Sequence, residues 1–128
     1  MRRFVVLLAI AGLLVGVSGS AAPAAPTDVK MIIGPKARLA ISGAVEVEVT
    51  YVCPASFVTA AIFVTVSQSQ TGAVGQSLNQ RAPCTDQRET VVLIVAPGPF
   101  ALGQAIANGF IDSGLTFDGD VRRIQIVL

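Results

Sequence analysis

The chain has 128 residues, of which 52% are hydrophobic and 13% charged, and its formal net charge is +1. It contains no histidine and only two cysteines, which excludes Ser-His-Asp and Cys-His catalysis as well as histidine metal sites. The low net charge lacks the basic surface that nucleic-acid binding requires.

The N-terminus has the pattern of a secretory signal peptide. Arg2 and Arg3 precede 14 apolar residues at 4–17, and small residues and prolines follow. As a helix this run spans roughly 21 Å, short of the roughly 30 Å bilayer core. We therefore predict a signal peptide at 1–24, cleaved after Ala21 or Ala24, and a secreted, extracellular protein with no permanent membrane anchor.

Removal of that segment leaves a short linker at 25–28 and one domain at 29–128. Residues 25–128 carry seven basic and eight acidic side chains, a net charge of −1. About a hundred residues are enough for a single domain with one hydrophobic core.

Strand signals then recur along the domain, and helical periodicity is absent. Two short strands are predicted at 29–33 and 38–41, separated by Gly34 and Pro35. The clearest strand is 44–53, whose alternation puts five residues on one face and Glu46 and Glu48 on the other. The predicted inward residues are Val45, Val47, Val49, Tyr51 and Cys53.

The second half of the domain continues the pattern. Further predicted elements are a strand at 60–68, a polar hairpin or two short edge strands at 67–80, an apolar strand at 90–96, a strand at 103–112, a turn at 113–120 and a closing strand at 121–128. About seven strands with turns between them favour an antiparallel sandwich of immunoglobulin or fibronectin type, without the core tryptophan of antibody domains. A small β-barrel is the alternative.

Cys53 and Cys84 are predicted to form one disulfide. Two cysteines in an exported chain are typical of a structural bridge, and a reactive dithiol normally has C-x-x-C spacing. A bridge across this loop contributes about 3–4 kcal/mol in the chain-entropy model. Because Cys84 falls in the turn before the strand at 90–96, we expect the bridge to pin a loop to the end of a strand.

One ordered pattern carries a resemblance. The motif V-x-V-x-V-x-Y-x-C-P at 45–54 is followed by a strand ending in Gln, a glycine-containing turn, the second cysteine and T-V-x-L-x-V at 90–95. This order resembles small secreted actinobacterial proteins with an immunoglobulin-like sandwich and no known activity. The resemblance implies a fold and a compartment, and it carries over no catalytic or binding residues.

Two acidic groups are the remaining candidates for chemistry. Glu46 and Glu48 have a spacing that suits glycoside hydrolysis on paper, but two solvated charges on an outer strand face is the simpler interpretation. Asp112, Asp118 and Asp120 have oxygen ligands for calcium if one turn gathers them, although their spacing fits no EF-hand loop. We expect no catalytic residue, metal or cofactor.

The sequence therefore predicts a non-enzymatic binding or interaction module for a protein or a cell-surface polymer. The segments 67–80 and 113–120 are the candidate binding loops. Phe63, Ile32 and the strand at 90–96 are candidates for an exposed apolar patch. The alternatives are a carrier of a small apolar ligand in a cleft between sheets and a protease inhibitor that uses the segment 79–85.

Overall fold

A computed structural model describes residues 25–128; the predicted signal peptide at 1–24 lies outside this range. The described part is all-β, with a single 3₁₀ turn at Ala55–Phe57. None of these residues forms a helix long and apolar enough to cross a membrane. The strands are β1 (Lys30–Leu39), β2 (Val45–Val52), β3 (Thr59–Gln68), β4 (Ala73–Gln76), β5 (Gln80–Pro83), β6 (Arg88–Pro97), β7 (Gly103–Asp112) and β8 (Phe117–Val127).

Seven of the eight strands form a closed ring. The order β4-β6-β2-β1-β8-β7-β3 is closed by a second pairing between β4 and β3, and β5 pairs with β3 outside this ring. The predicted all-β class is confirmed, but the sheet is a closed seven-stranded barrel, and the expected antiparallel pattern is broken by one parallel pair, β1 with β8.

The strand β1 is one element where two were predicted. It runs through Gly34 and Pro35, and the register with β2 shifts between Ile33 and Ala37. A proline has no N–H to donate, so it lies at an irregularity in the ladder. After the shift, Lys36–Arg38 pair with β8 in parallel while β1 still pairs with β2. Gly34 and Pro35 therefore redirect the strand without ending it.

The core forms from the alternating faces that the sequence predicted. Strand residues two apart share a face, and every strand of the ring contributes a buried row. The largest of these buried side chains are Ile33, Val45, Val47, Val49, Ile62, Val64, Leu93, Ile111, Ile124 and Ile126.

Two predictions about the core are corrected. In the strand predicted at 90–96, Leu93 and Val95 are buried, but Val92 and Ile94 are exposed, because their side of β6 faces solvent. Leu128, predicted to lie inward, is 86% exposed because β8 ends at Val127.

The first half of β1 is held to β8 by side chains and not by a backbone ladder. Residues 29–33 face 116–122 across what we call the β1–β8 seam. Amides of Val29, Met31 and Ile33 donate to Thr116 Oγ1, Asp118 Oδ2 and Asp120 Oδ2 at 3.3, 3.0 and 2.8 Å, and Arg122 Nη1 donates to the Ile33 carbonyl at 2.9 Å. Backbone polar groups of β1 that lack a neighbouring strand therefore still find partners.

This seam corrects the turn predicted at 113–120. The turn covers only 113–116, and β8 begins at Phe117. Asp118 and Asp120 are therefore strand residues that point toward β1. Their alternation, typical of one strand face, places both carboxylates beside successive β1 amides.

We expect Asp120→Ala to destabilise the protein by about 1–2 kcal/mol, because a half-buried amide loses a charged acceptor. Arg123→Ala, an exposed neighbour on β8, is the matched control and should change stability by less than about 0.5 kcal/mol. Urea unfolding measures both, and amide exchange at Ile33 should accelerate only in Asp120→Ala. Equal effects in the two variants would contradict a supporting role for the carboxylate.

Candidate functional site

The strand β4 closes the ring with a very short ladder. Only Gly75 with Pro97 and Gln76 with Ala96 pair between β4 and β6. A Cβ at Gly75 would lie 2.8 Å from the backbone carbonyl of Ala96, so only glycine permits this close approach.

Ser77 diverts the chain away from β6 immediately after that ladder. Its amide donates to the Val64 carbonyl at 2.8 Å, and the Val64 amide donates to Ser77 Oγ at 2.9 Å. Ser77 is buried, and the chain continues on the β3 side, where Gln80 pairs with Ile62. The position beside β6 that β4 occupied is therefore left free from residue 95 downwards.

A disulfide fixes the other end of the same region. Cys53, just after β2, is bonded to Cys84, just after β5, with a Cα–Cα distance of 4.7 Å. Tyr51 Oη donates to the Pro83 carbonyl at 2.8 Å. The predicted bridge is confirmed, and it joins the end of a strand to the segment that follows β5, as expected.

Between these two ends lies a groove that we call the β5–β6 slot. It is lined by residues 77–81 and 92–94 and has a volume of about 460 Å³. Residues 88–95 of β6 pair with β2 on one edge, and among the described residues no strand pairs with their other edge. The edge of β5 that faces away from β3 is likewise without a strand partner in the described chain.

The slot is also apolar at its rim. Leu78, Val92 and Ile94 are 88%, 51% and 63% exposed. Free strand edges are normally shortened, charged or covered because they invite pairing with another chain. An edge of eight residues beside three exposed aliphatic side chains has none of these protections, so it is suited to bind an extended segment.

The slot and the seam are the two places where the ring departs from a continuous backbone ladder. At the seam, four side chains of residues 116–122 supply the missing hydrogen bonds. At the slot, no side-chain hydrogen bond within the described chain reaches the backbone of 90–95. One opening is sealed by the chain itself, and the other remains available to a ligand.

The candidate acidic groups do not form a catalytic or metal centre in the described part. Glu46 and Glu48 lie on the outer face of β2, where Glu46 pairs with Arg38 at 3.3 Å. Asp112 accepts a hydrogen bond from the Gly114 amide, whereas Asp118 and Asp120 hold β1. Within residues 25–128 no three acidic, cysteine or histidine side chains are gathered as a metal site requires.

The predicted apolar patch is divided into two surfaces. Ile32 lies on β1 beside β2, whereas Phe63 lies on β3 beside β7, on the other side of the barrel. Phe63 instead packs with Phe110 at 5.5 Å between ring centroids, and Phe110 packs with Phe117 at 5.9 Å. Sequence reasoning missed this aromatic cluster because it depends on the registers of three strands.

The segment 79–85 does not form a projecting loop. Gln80–Pro83 are the strand β5, paired with β3, and Cys84 is buried. The candidate loop 67–80 is also mostly ordered by the sheet, through β4 and its hydrogen bonds. Only its last residues, 77–80, line the slot.

Comparison of the sequence with protein-family models and with curated proteins found no match. The function is therefore inferred from the geometry of this chain.

Tyr51 makes the disulfide end sensitive to alkaline pH. Burial, assisted by the nearby charge of Glu89, raises the pKa of Tyr51 above its usual 10.0. Its neutral form is therefore favoured by folding, so this contribution is complete below about pH 10 and is lost as the pH rises through the higher folded pKa.

We expect Tyr51→Phe to remove that alkaline loss of stability and to cost about 1 kcal/mol at neutral pH, where the bond to Pro83 is absent. Urea unfolding over a pH series measures both effects. Since the chain has one tyrosine and no tryptophan, ultraviolet titration reports this phenol alone. An unshifted titration curve, or the same alkaline loss in both proteins, would contradict the assignment.

Proposed function

We propose that this protein is a non-enzymatic binding module that takes up an extended polypeptide segment in the β5–β6 slot. The observation that carries the proposal is the unpaired edge of β6 at residues 88–95, bordered by exposed Leu78, Val92 and Ile94. An added strand gains main-chain hydrogen bonds along such an edge, and neighbouring side chains supply selectivity.

We also propose that the barrel is a flattened relative of the immunoglobulin sandwich. The strands β6, β2 and β1 form one antiparallel group, and β8, β7 and β3 form another. Ladders between these groups are short, with three residue pairs at β1–β8 and two at β4–β6. Two layers about 10 Å apart in an experimental structure would support this, and a round cross-section would contradict it.

An extracellular location fits the same proposal. Disulfides persist mainly in oxidising compartments, and the bridge between Cys53 and Cys84 holds one end of the slot. Mass spectrometry of protein recovered from culture medium tests this: we expect a chain that begins after Ala21 or Ala24. An intact N-terminus would contradict export by cleavage.

The two alternative functions have less support from the geometry. A carrier of a small apolar ligand needs an interior cleft, but the inward positions of the ring are filled by buried side chains. A protease inhibitor needs an exposed rigid loop, but β5 lies in the sheet. Both alternatives therefore rank below strand binding.

We expect Val92→Lys combined with Ile94→Lys to abolish peptide binding, because two charged side chains replace the apolar rim of the slot. The fold should tolerate both, since these positions face Glu48 and Glu46 on β2 and opposite charges on paired strands are favourable. The measurement is selection of linear peptides from a random display library on the protein, followed by titration of the selected peptides.

Val121→Lys is the matched control. This valine is also exposed but lies on β8, among the strands of the other group. Selected peptides should bind this variant and the unmodified protein equally. Peptides that bind the slot variant as well as the unmodified protein would overturn the slot as the binding site.

A further inference from the structure

The segment that fits the slot has a direction, a register and a side-chain pattern that can be read from its borders. We propose that it is a strand of about seven residues, antiparallel to β6, with aliphatic side chains at alternate positions and a cationic side chain near its C-terminal end. This inference rests on the proposed strand-binding function and specifies its ligand.

The direction follows from β4. That strand runs antiparallel to β6 and pairs with Pro97 and Ala96 before Ser77 takes the chain across to β3. A bound segment that follows the same path continues this ladder along residues 95–89 of β6. The β2 strand already pairs antiparallel along the other edge of the same stretch, from Val45 with Val95 to Val52 with Arg88, so the β6 backbone is extended over the required length.

The side-chain pattern follows from the faces of β6. Residues directly opposite in neighbouring strands point to the same face of a sheet. Val95, Leu93 and Val91 lie on the inward face of β6, so the first, third and fifth residues of the segment face inward and should be aliphatic. The second, fourth and sixth residues lie opposite Ile94, Val92 and Thr90 on the outer face, where polar residues are tolerated.

The charge follows from Glu89. This half-buried residue lies on the same inward face as Leu93, at the end of the slot beside the disulfide. One of its carboxylate oxygens accepts a hydrogen bond from Thr85 Oγ1 at 3.1 Å, and it has no cation within the salt-bridge distance in residues 25–128. The seventh residue of the segment lies opposite Glu89, so a lysine there gains a charge partner.

A pair of short peptides tests the direction directly. The forward probe is Val-Thr-Val-Thr-Val-Thr-Lys, acetylated and amidated, and the reversed probe is Lys-Thr-Val-Thr-Val-Thr-Val with the same ends. An antiparallel segment places the lysine of the forward probe beside Glu89, whereas a parallel segment does so with the reversed probe. We expect the forward probe to bind about two- to fivefold more tightly, the range of a cross-strand charge pair.

Variants of the protein test the charge. Glu89→Gln should remove the preference for the forward probe, and Glu89→Lys should reverse it toward a probe with glutamate in place of lysine. Glu48→Gln is the matched control, because Glu48 is exposed on the outer face of β2, and it should leave the preference unchanged. Unfolding measurements on each variant confirm that the fold is retained.

The outcomes separate this inference from the proposed function. Tighter binding of the reversed probe, or a forward preference that survives Glu89→Gln, overturns the inference while slot binding stands. Library peptides that need the slot but lack alternating aliphatic residues have the same meaning. If neither probes nor library peptides bind in a manner sensitive to Val92→Lys and Ile94→Lys, both the inference and the proposed function fail.

Discussion

The fold depends on how the backbone groups of β1 find hydrogen-bond partners. Buried N–H and C=O groups that lack a partner are costly, and β1 lies between two strands of which only β2 follows it closely. Its second half pairs with β8 through the backbone, and its first half through Asp118, Asp120 and their neighbours. These contacts let the ring close, and they leave the slot as the opening that the described chain does not seal.

Local pattern was enough to predict the strands and their buried faces. The alternation from Val45 to Cys53 and from Ile62 to Val66 needs only the period of a strand, and both rows are buried. The same reasoning failed for Asp118 and Asp120, since aspartate and glycine are common in turns. Their role depends on amides 87 residues away, a distance over which local pattern carries no information.

The slot was predictable in its parts and not as a whole. The sequence indicated that the strand around Val92 was apolar on both faces and that the polar segment ending at Gln80 was a candidate binding region. It did not indicate that the ladder between β4 and β6 stops after two pairs. That arrest depends on the exchange of hydrogen bonds between Ser77 and Val64, and a buried serine in a polar segment looks like any other loop serine.

The pairing of β1 with the end of the chain also sets an order of assembly. The partners of Val29, Met31 and Ile33 lie 87 residues further on, and the parallel ladder reaches as far as Val127. Contacts between distant parts of a chain form slowly, since loop-closure entropy is lost before they stabilise anything. A nascent chain therefore holds an incomplete β1 edge until its last strand has been synthesised, and ring closure is a post-translational event.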